Sequence, residues 1–296
     1  MSFQGAVFTF AGAVEHHAGM KISGEKRPPL TLQELQEIAK KFESLSTDST
    51  DKPNILYKEI GKKFEIQDAG ILILKNGVSY IQKEVEQFDF DILWKKIQSL
   101  GEEGVDTKAY MRGRVVNKRA RYNFNIMDEE EKADYAKGIG TTYPFTMFPN
   151  AQLLREYIGS LLPKDRIKGL YTEANIYHSD NSGIGFHGDT ERGIVIGVNF
   201  GKKRQIEWQV FHKNLPIGER YIFPLEHGDI YCMTGMCAGI NWKRSSIPTI
   251  RHRAGYKKWL DNDEKKNIKK WNSRKKILKN GILEKSQKKN GILEKK

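Results

Sequence analysis

The hydrophobic pattern divides the chain into two textures. Up to Leu162, apolar residues recur at helical spacing in three runs, separated by short strand-like and polar segments. Residues 30–45, LTLQELQEIAKKFESL, form an amphipathic helix in which Thr31 and Glu34 have the spacing of a capping box. SLSTDSTDKP, residues 44–53, is a polar linker. AGILIL, residues 69–74, reads as a short strand and Asn76-Gly77 as the turn after it. Residues 84–100 carry a second helical period, and residues 150–162 a third that stops at Pro163.

From Leu170 the texture changes. LYTEANIYH, GIVIGVNF, RQIEWQVFH, RYIF, DIYCM and IPTIRH follow one another, parted by turn residues and with no helix between them. Many short strands without helices predict an antiparallel sandwich or barrel. The expected fold class is mainly β with flanking helices (α+β). Three parts are expected: a helical and strand extension over 1–149, a β core over 150–256, and a basic tail over 257–296. The tail contains KNGILEK twice, too few copies for a solenoid, and is read as a disordered or transiently helical extension.

The 296 residues suffice for one large domain or two small ones. The net charge of +13 is concentrated in the tail, where 15 basic and 5 acidic residues leave +10. The body is therefore nearly neutral, and the basic balance by itself does not make it a nucleic-acid binder. Cys232 and Cys237 suit a reducing compartment as free core thiols. GAVFTFAGAV near the start is too short to span a membrane and lacks the basic start of a signal peptide. A soluble, monomeric, cytoplasmic protein without membrane partners is expected.

The candidate chemistry is in GIGFHGDTERGIVIGVNF, residues 183–200. On a strand, His187 and Asp189 share a face and can both point into a barrel. Non-haem Fe(II) oxygenases need two histidines and one carboxylate on one side of the metal, with the other positions open. A His-x-Asp pair alone is common. A glycine-rich turn before it, strands after it and a later strand histidine raise its significance.

EANIYHSDNSGIGFHGD, LEHGDIYCM and IPTIRHRAG together resemble the 2-oxoglutarate/Fe(II)-dependent dioxygenases, nearest to the AlkB-like branch. With AVEHHAGM, RARYNF and NWKRSSIPTIRHRAG added, the chain from Phe3 to Tyr256 resembles uncharacterised AlkB-like proteins of large DNA viruses. The resemblance implies a double-stranded β-helix (jelly-roll) core with Fe(II) and 2-oxoglutarate as cofactors. It assigns His187 and Asp189 to iron, Asn175 and Tyr177 to 2-oxoglutarate, and Arg251, with Arg253 beside it, to the cosubstrate carboxylate.

One departure matters. Where the family has its third histidine, after a Trp, this chain has Arg244 in AGINWKRSSIP. His252 is the favoured replacement and His227 the alternative. In a regular strand His252 faces away from Arg251 and Arg253, so a bulge must re-aim one of them, or the carboxylate partner is Arg192, Arg204 or Lys257. His16, His17 and His178 are read as turn or surface residues, and Trp208 as packing. KAYMRGRVVNKRARYNF, residues 108–124, has six cations and no acids, interleaved with aromatics. That composition suits either a solvated loop or a nucleic-acid lid, with Arg121, Tyr122 and Trp242 nearest the substrate. The function expected from the resemblance is oxidative demethylation of N-alkylated nucleobases. The alternatives are hydroxylation of a protein side chain or small molecule, or a jelly roll that only binds.

Overall fold

In the computed structural model, which describes residues 2–45, 52–163 and 169–255, the sequence spacing around Thr31 forms the capping box it predicts. Thr31 Oγ1 accepts the Glu34 N–H, and the Glu34 carboxylate accepts the Thr31 N–H. Helix α1 then runs over Leu32–Glu43 and buries Leu35, Ile38 and Phe42.

Before α1 come β1 (Gly5–Ala11) and the short hairpin of β2 (Ala13–Glu15) and β3 (Ile22–Gly24). After it follow β4 (Asn54–Glu59) and β5 (Gly70–Lys75). The Asn76-Gly77 turn opens helix α2 (Gly77–Glu84) rather than a hairpin, with Asn76 in the left-handed region. The helical period over residues 84–100 is broken. It resumes as α3 (Phe90–Ser99) because the Asp89 side chain caps a new start by accepting the Ile92 N–H. Next come the hairpin β6 (Lys108–Met111) and β7 (Arg114–Asn117), then β8 (Tyr122–Met127), β9 (Thr142–Pro144) and α4 (Pro149–Ser160). The strand-rich half supplies β10 (Tyr171–Tyr177), β11 (Gly183–His187), β12 (Val195–Gly201), β13 (Arg204–His212), β14 (Leu215–Leu225) and β15 (Ile230–Met233). A four-residue helix, α5 (Gly235–Ala238), precedes β16 (Thr249–Gly255).

The chain is mainly β, with two principal sheets. An eight-stranded sheet has the order β4-β5-β15-β12-β1-β10-β8-β9, and a four-stranded sheet the order β11-β16-β13-β14. From β10 on, the chain moves back and forth between them. β10, β12 and β15 join the larger sheet, and β11, β13, β14 and β16 the smaller.

Alternation along each strand splits the core in two. One face of the large sheet, with Phe8, Phe10, Ile176 and Phe200, packs on Leu35, Leu93 and Leu154 of the helices. The other face, with Val7, Ile73 and Tyr177, meets Ile206, Trp208 and Ile250 of the small sheet.

No division falls at residue 149. Residues Met1–Tyr256 form one compact unit, because β1 pairs with β10 on one side and β12 on the other. The 1–149 extension and the 150–256 β core expected from the change of texture thus lie within one compact unit. The tail over 257–296, with Lys257 and both KNGILEK copies, lies outside the described residues, as does most of the polar linker. Among the described residues no helix is long and apolar enough to cross a membrane.

Phe200 is fully buried, with Phe90 stacked on it at 4.3 Å and Phe8 at 4.8 Å between ring centroids. Phe200→Ala is expected to lower the unfolding free energy by about 3–5 kcal/mol. Denaturant titration of the variant against the parent measures it.

Candidate metal centre and its cavity

His187 ends β11, and the register sets it directly opposite His252 in β16, with ring centroids 4.3 Å apart. β16 keeps an unbroken register with β13 from Thr249 to Gly255, so its side chains alternate regularly. The irregularity lies in β11, between Ile184 and His187.

Asp189 arrives by another route than strand alternation, since it lies beyond the end of β11. Its N–H donates to the Ala238 carbonyl at 2.8 Å, which pins the residue against the end of α5. Gly188 permits that approach. A Cβ there would lie 2.4 Å from the Gly239 carbonyl oxygen and 2.5 Å from Cδ1 of Trp242.

The three side chains converge. Asp189 Oδ1 is 3.7 Å from His187 Nε2, and Asp189 Oδ2 is 3.5 Å from His252 Nε2. One ligand atom from each of the three lies within 4.8 Å of the others. The group can hold a metal ion, because ligands about 2.1 Å from an ion are about 3 Å or more from one another. Among the described residues it is the one such group of histidine, cysteine and carboxylate side chains.

The protonation states suit a cation. His187 Nδ1 is 2.7 Å from the Gly185 carbonyl, which only a protonated nitrogen fits, and this leaves the Nε2 lone pair toward Asp189. Burial and the neighbouring His187 push the His252 pKa down to about 3, so its imidazole is neutral. Burial pushes the Asp189 carboxyl up, but the charges around it, Arg192 first, outweigh it and hold it below the usual carboxylate range.

These residues line a cavity of about 420 Å³ between the two sheets. Asn175, Tyr177, Arg121 and Trp242 line it too. Arg121 donates from Nε to Asn175 Oδ1, and its Nη2 lies 3.4 Å from Glu173 Oε1. Tyr122 does not reach the cavity. It is one residue along β8 from Arg121, so it points to the helix side, where it stacks on His178 at 4.3 Å.

Arg251 and Arg253 also miss the cavity, because the regular alternation that points His252 inward points both arginines outward. Arg251 donates to Asn214 Oδ1 at 2.6 Å and to the Trp242 carbonyl at 3.2 Å. Arg253 is paired with Glu207 at 2.9 Å and lies over the ring of Phe186. His227 is remote from the group: its Nδ1 accepts the Gly201 N–H, and its ring packs on Phe90. Arg244 is exposed in the turn after Trp242.

Of the remaining cavity residues, Glu173 escapes the sequence reading, Arg192 and Arg204 enter it as alternative carboxylate partners, and His17 enters it as a turn or surface residue. Glu173 follows from the alternation that selects Asn175 and Tyr177, since all three lie on one face of β10. Arg192, one of the alternative carboxylate partners, is instead paired with Glu173, Glu191 and Asp189. His17 lines the cavity with its pKa pushed down to about 4 by burial and by Arg121 and Lys118, while His16 is buried and accepts the Gly140 N–H. Arg204 opens β13 and reaches into the cavity.

The chain belongs to a family with a viral member. It is 36% identical over 259 residues to an uncharacterised protein of Acanthamoeba polyphaga mimivirus, across 85% of this chain and 96% of that protein. No protein-family model matches it.

Asp189→Ala is expected to abolish binding of Co(II) or Mn(II) at this centre. Gly188→Ala should weaken it about 10-fold by displacing Trp242 or the Gly239 turn. Metal titration followed by Co(II) absorption or Mn(II) spin resonance reads both, with circular dichroism reporting the fold.

Proposed function

We propose that the protein is an Fe(II)- and 2-oxoglutarate-dependent dioxygenase with a double-stranded β-helix core, acting on N-alkylated bases in nucleic acid. The observation that carries this reading is the meeting of His187, Asp189 and His252 in one cavity with Asn175 and Tyr177. Two imidazoles and one carboxylate on one side of an ion leave the remaining positions open, the donor set of non-haem Fe(II) oxygenases.

The strand order supports the fold assignment. β10 to β16 alternate between the sheets as seven strands of a jelly roll do, and β1 stands between β10 and β12, where the eighth belongs. In this reading the N-terminal strand closes the barrel, and the chain order is permuted.

His187, Asp189 and His252 would hold the iron, which when bound would supply the activation of O2 and the oxidation of the cosubstrate. The chain's own residues hold and orient. Arg192 keeps Asp189 ionised in a buried place, and the Gly185 carbonyl fixes the His187 tautomer. Arg121 occupies the Asn175 carbonyl oxygen and leaves that amide's N–H groups as donors. The walls formed by Val7, Val195, Ile206 and Leu225 keep bulk water from the oxidising centre.

Nucleic acid is favoured by the basic stretch that runs up to the cavity residue Arg121. Lys108, Arg112, Arg114 and Arg119 are exposed on or beside the β6–β7 hairpin, whose tip carries positive φ at Arg112 and Gly113. Lys118 turns inward to Asn123, and burial pushes its pKa down to about 8. Lys243 reaches the cavity beside Trp242.

Succinate and formaldehyde release from N-methylated single-stranded oligonucleotides tests the reading, with peptides and free amino acids as competitors. Release coupled only to a peptide or amino acid would replace nucleic acid by the hydroxylase alternative. Reversing the two hairpin charges in Arg112→Glu/Arg114→Glu should weaken oligonucleotide binding and reduce its salt slope by about 2. Succinate release without substrate should be unchanged.

A further inference from the structure

Arg204 has a guanidinium with nothing to hold. The residue is 2% exposed, and its Nε, Nη1 and Nη2 have no hydrogen-bond partner among the described residues. Its neighbour is a ring: the guanidinium carbon lies 3.5 Å from the centroid of Tyr177. A cation–π contact offsets part of the desolvation, but five N–H donors in the plane of the group remain unsatisfied. Buried charges are ordinarily paired, because an unpaired one costs several kcal/mol, roughly.

The surrounding chain is shaped to keep the group there. At Gly5, where β1 starts, a Cβ would stand 2.5 Å from Arg204 Nη2 and 2.8 Å from the Phe200 carbonyl oxygen. Only a glycine leaves room for the guanidinium between β1 and β13.

The other arginines around the centre are committed. Arg192 serves Glu173, Glu191 and Asp189, and Arg121 serves Asn175 and Glu173. Arg251 and Arg253 are bonded on the far face of β16.

We infer that Arg204 is the anion anchor of the cavity, taking the carboxylate of a short dicarboxylic acid whose other end reaches the His187–Asp189–His252 group. A planar fork of donors matches a carboxylate with two parallel hydrogen bonds, and Tyr177 fixes the plane of the fork from below. The identity of the acid as 2-oxoglutarate rests on the proposed function. The anchor itself rests on the unsatisfied guanidinium and on the cavity it shares with the metal centre.

The full chain loaded with Mn(II) under anaerobic conditions tests this by calorimetry with 2-oxoglutarate, glutarate and succinate, and no turnover is needed. Arg204→Gln should raise the dissociation constant for 2-oxoglutarate about 100-fold while leaving Mn(II) affinity within about twofold, as expected for a lost bidentate charged contact. Arg251→Gln should change neither by more than about threefold, since its bonds lie elsewhere. Should Arg204→Gln fail to fold, Arg204→Lys keeps the charge without the fork and should lose about 10-fold. Unchanged 2-oxoglutarate binding in a folded Arg204 variant overturns the anchor, as does a parent protein that binds none of the three acids. If the parent binds glutarate or succinate through Arg204 but not 2-oxoglutarate, the anchor stands and the dioxygenase reading falls.

Discussion

Strand β1 hydrogen-bonds along its whole length to β10 on one side and along most of it to β12 on the other, and both of its faces are buried. Phe8 and Phe10 hold the helices on one face, and Val7 and Thr9 wall the cavity on the other. Remove that pairing and β10 separates from β12. The large sheet then divides between the strand that carries Glu173, Asn175 and Tyr177 and the strands that follow. His187, Asp189 and His252, on the small sheet and its connections, would lose the wall they face. The cavity exists because one seven-residue segment, far from it in sequence, lies at the centre of the sheet.

Inside the cavity the charges form a chain. Arg121 meets Glu173, Glu173 meets Arg192, and Arg192 meets Asp189. Each buried carboxylate has a guanidinium, which allows Asp189 to stay ionised where burial alone would protonate it. Arg204 stands outside this chain, paired with a ring instead of an acid.

Much of this was legible in the sequence and some was not, for physical reasons. The capping box set the start of α1, and the short apolar runs after Leu170 mark the strands of both sheets. β1 was not legible: GAVFTFA is buried on both faces and so has no alternation to read. The long helix expected over residues 84–100 broke because Asp89 is a stronger signal as a cap than the period around it. A shared strand face pairs His187 with Asp189 in the sequence, yet Asp189 is positioned by a main-chain bond to Ala238 across a glycine. The same alternation that sends His252 inward sends Arg251 and Arg253 outward, so the arginine strand could be found but its direction could not. Arg204 reads in sequence as one of three alternative carboxylate partners, with nothing to rank it above Arg192 or Lys257. Only its burial distinguishes it.

The place of β1 also governs how the chain reaches this fold. Ala11 pairs with Tyr171 and Gly5 with Gly201, so β1 leaves the ribosome long before either of its partners. Contacts this distant in sequence slow folding, and an apolar strand waiting for its neighbours is open to the wrong ones. The β2–β3 hairpin and α1, which follow at once and are local, can form during that wait. The central strand is thus made well before it is secured, which sets folding time rather than stability as the demand on this segment.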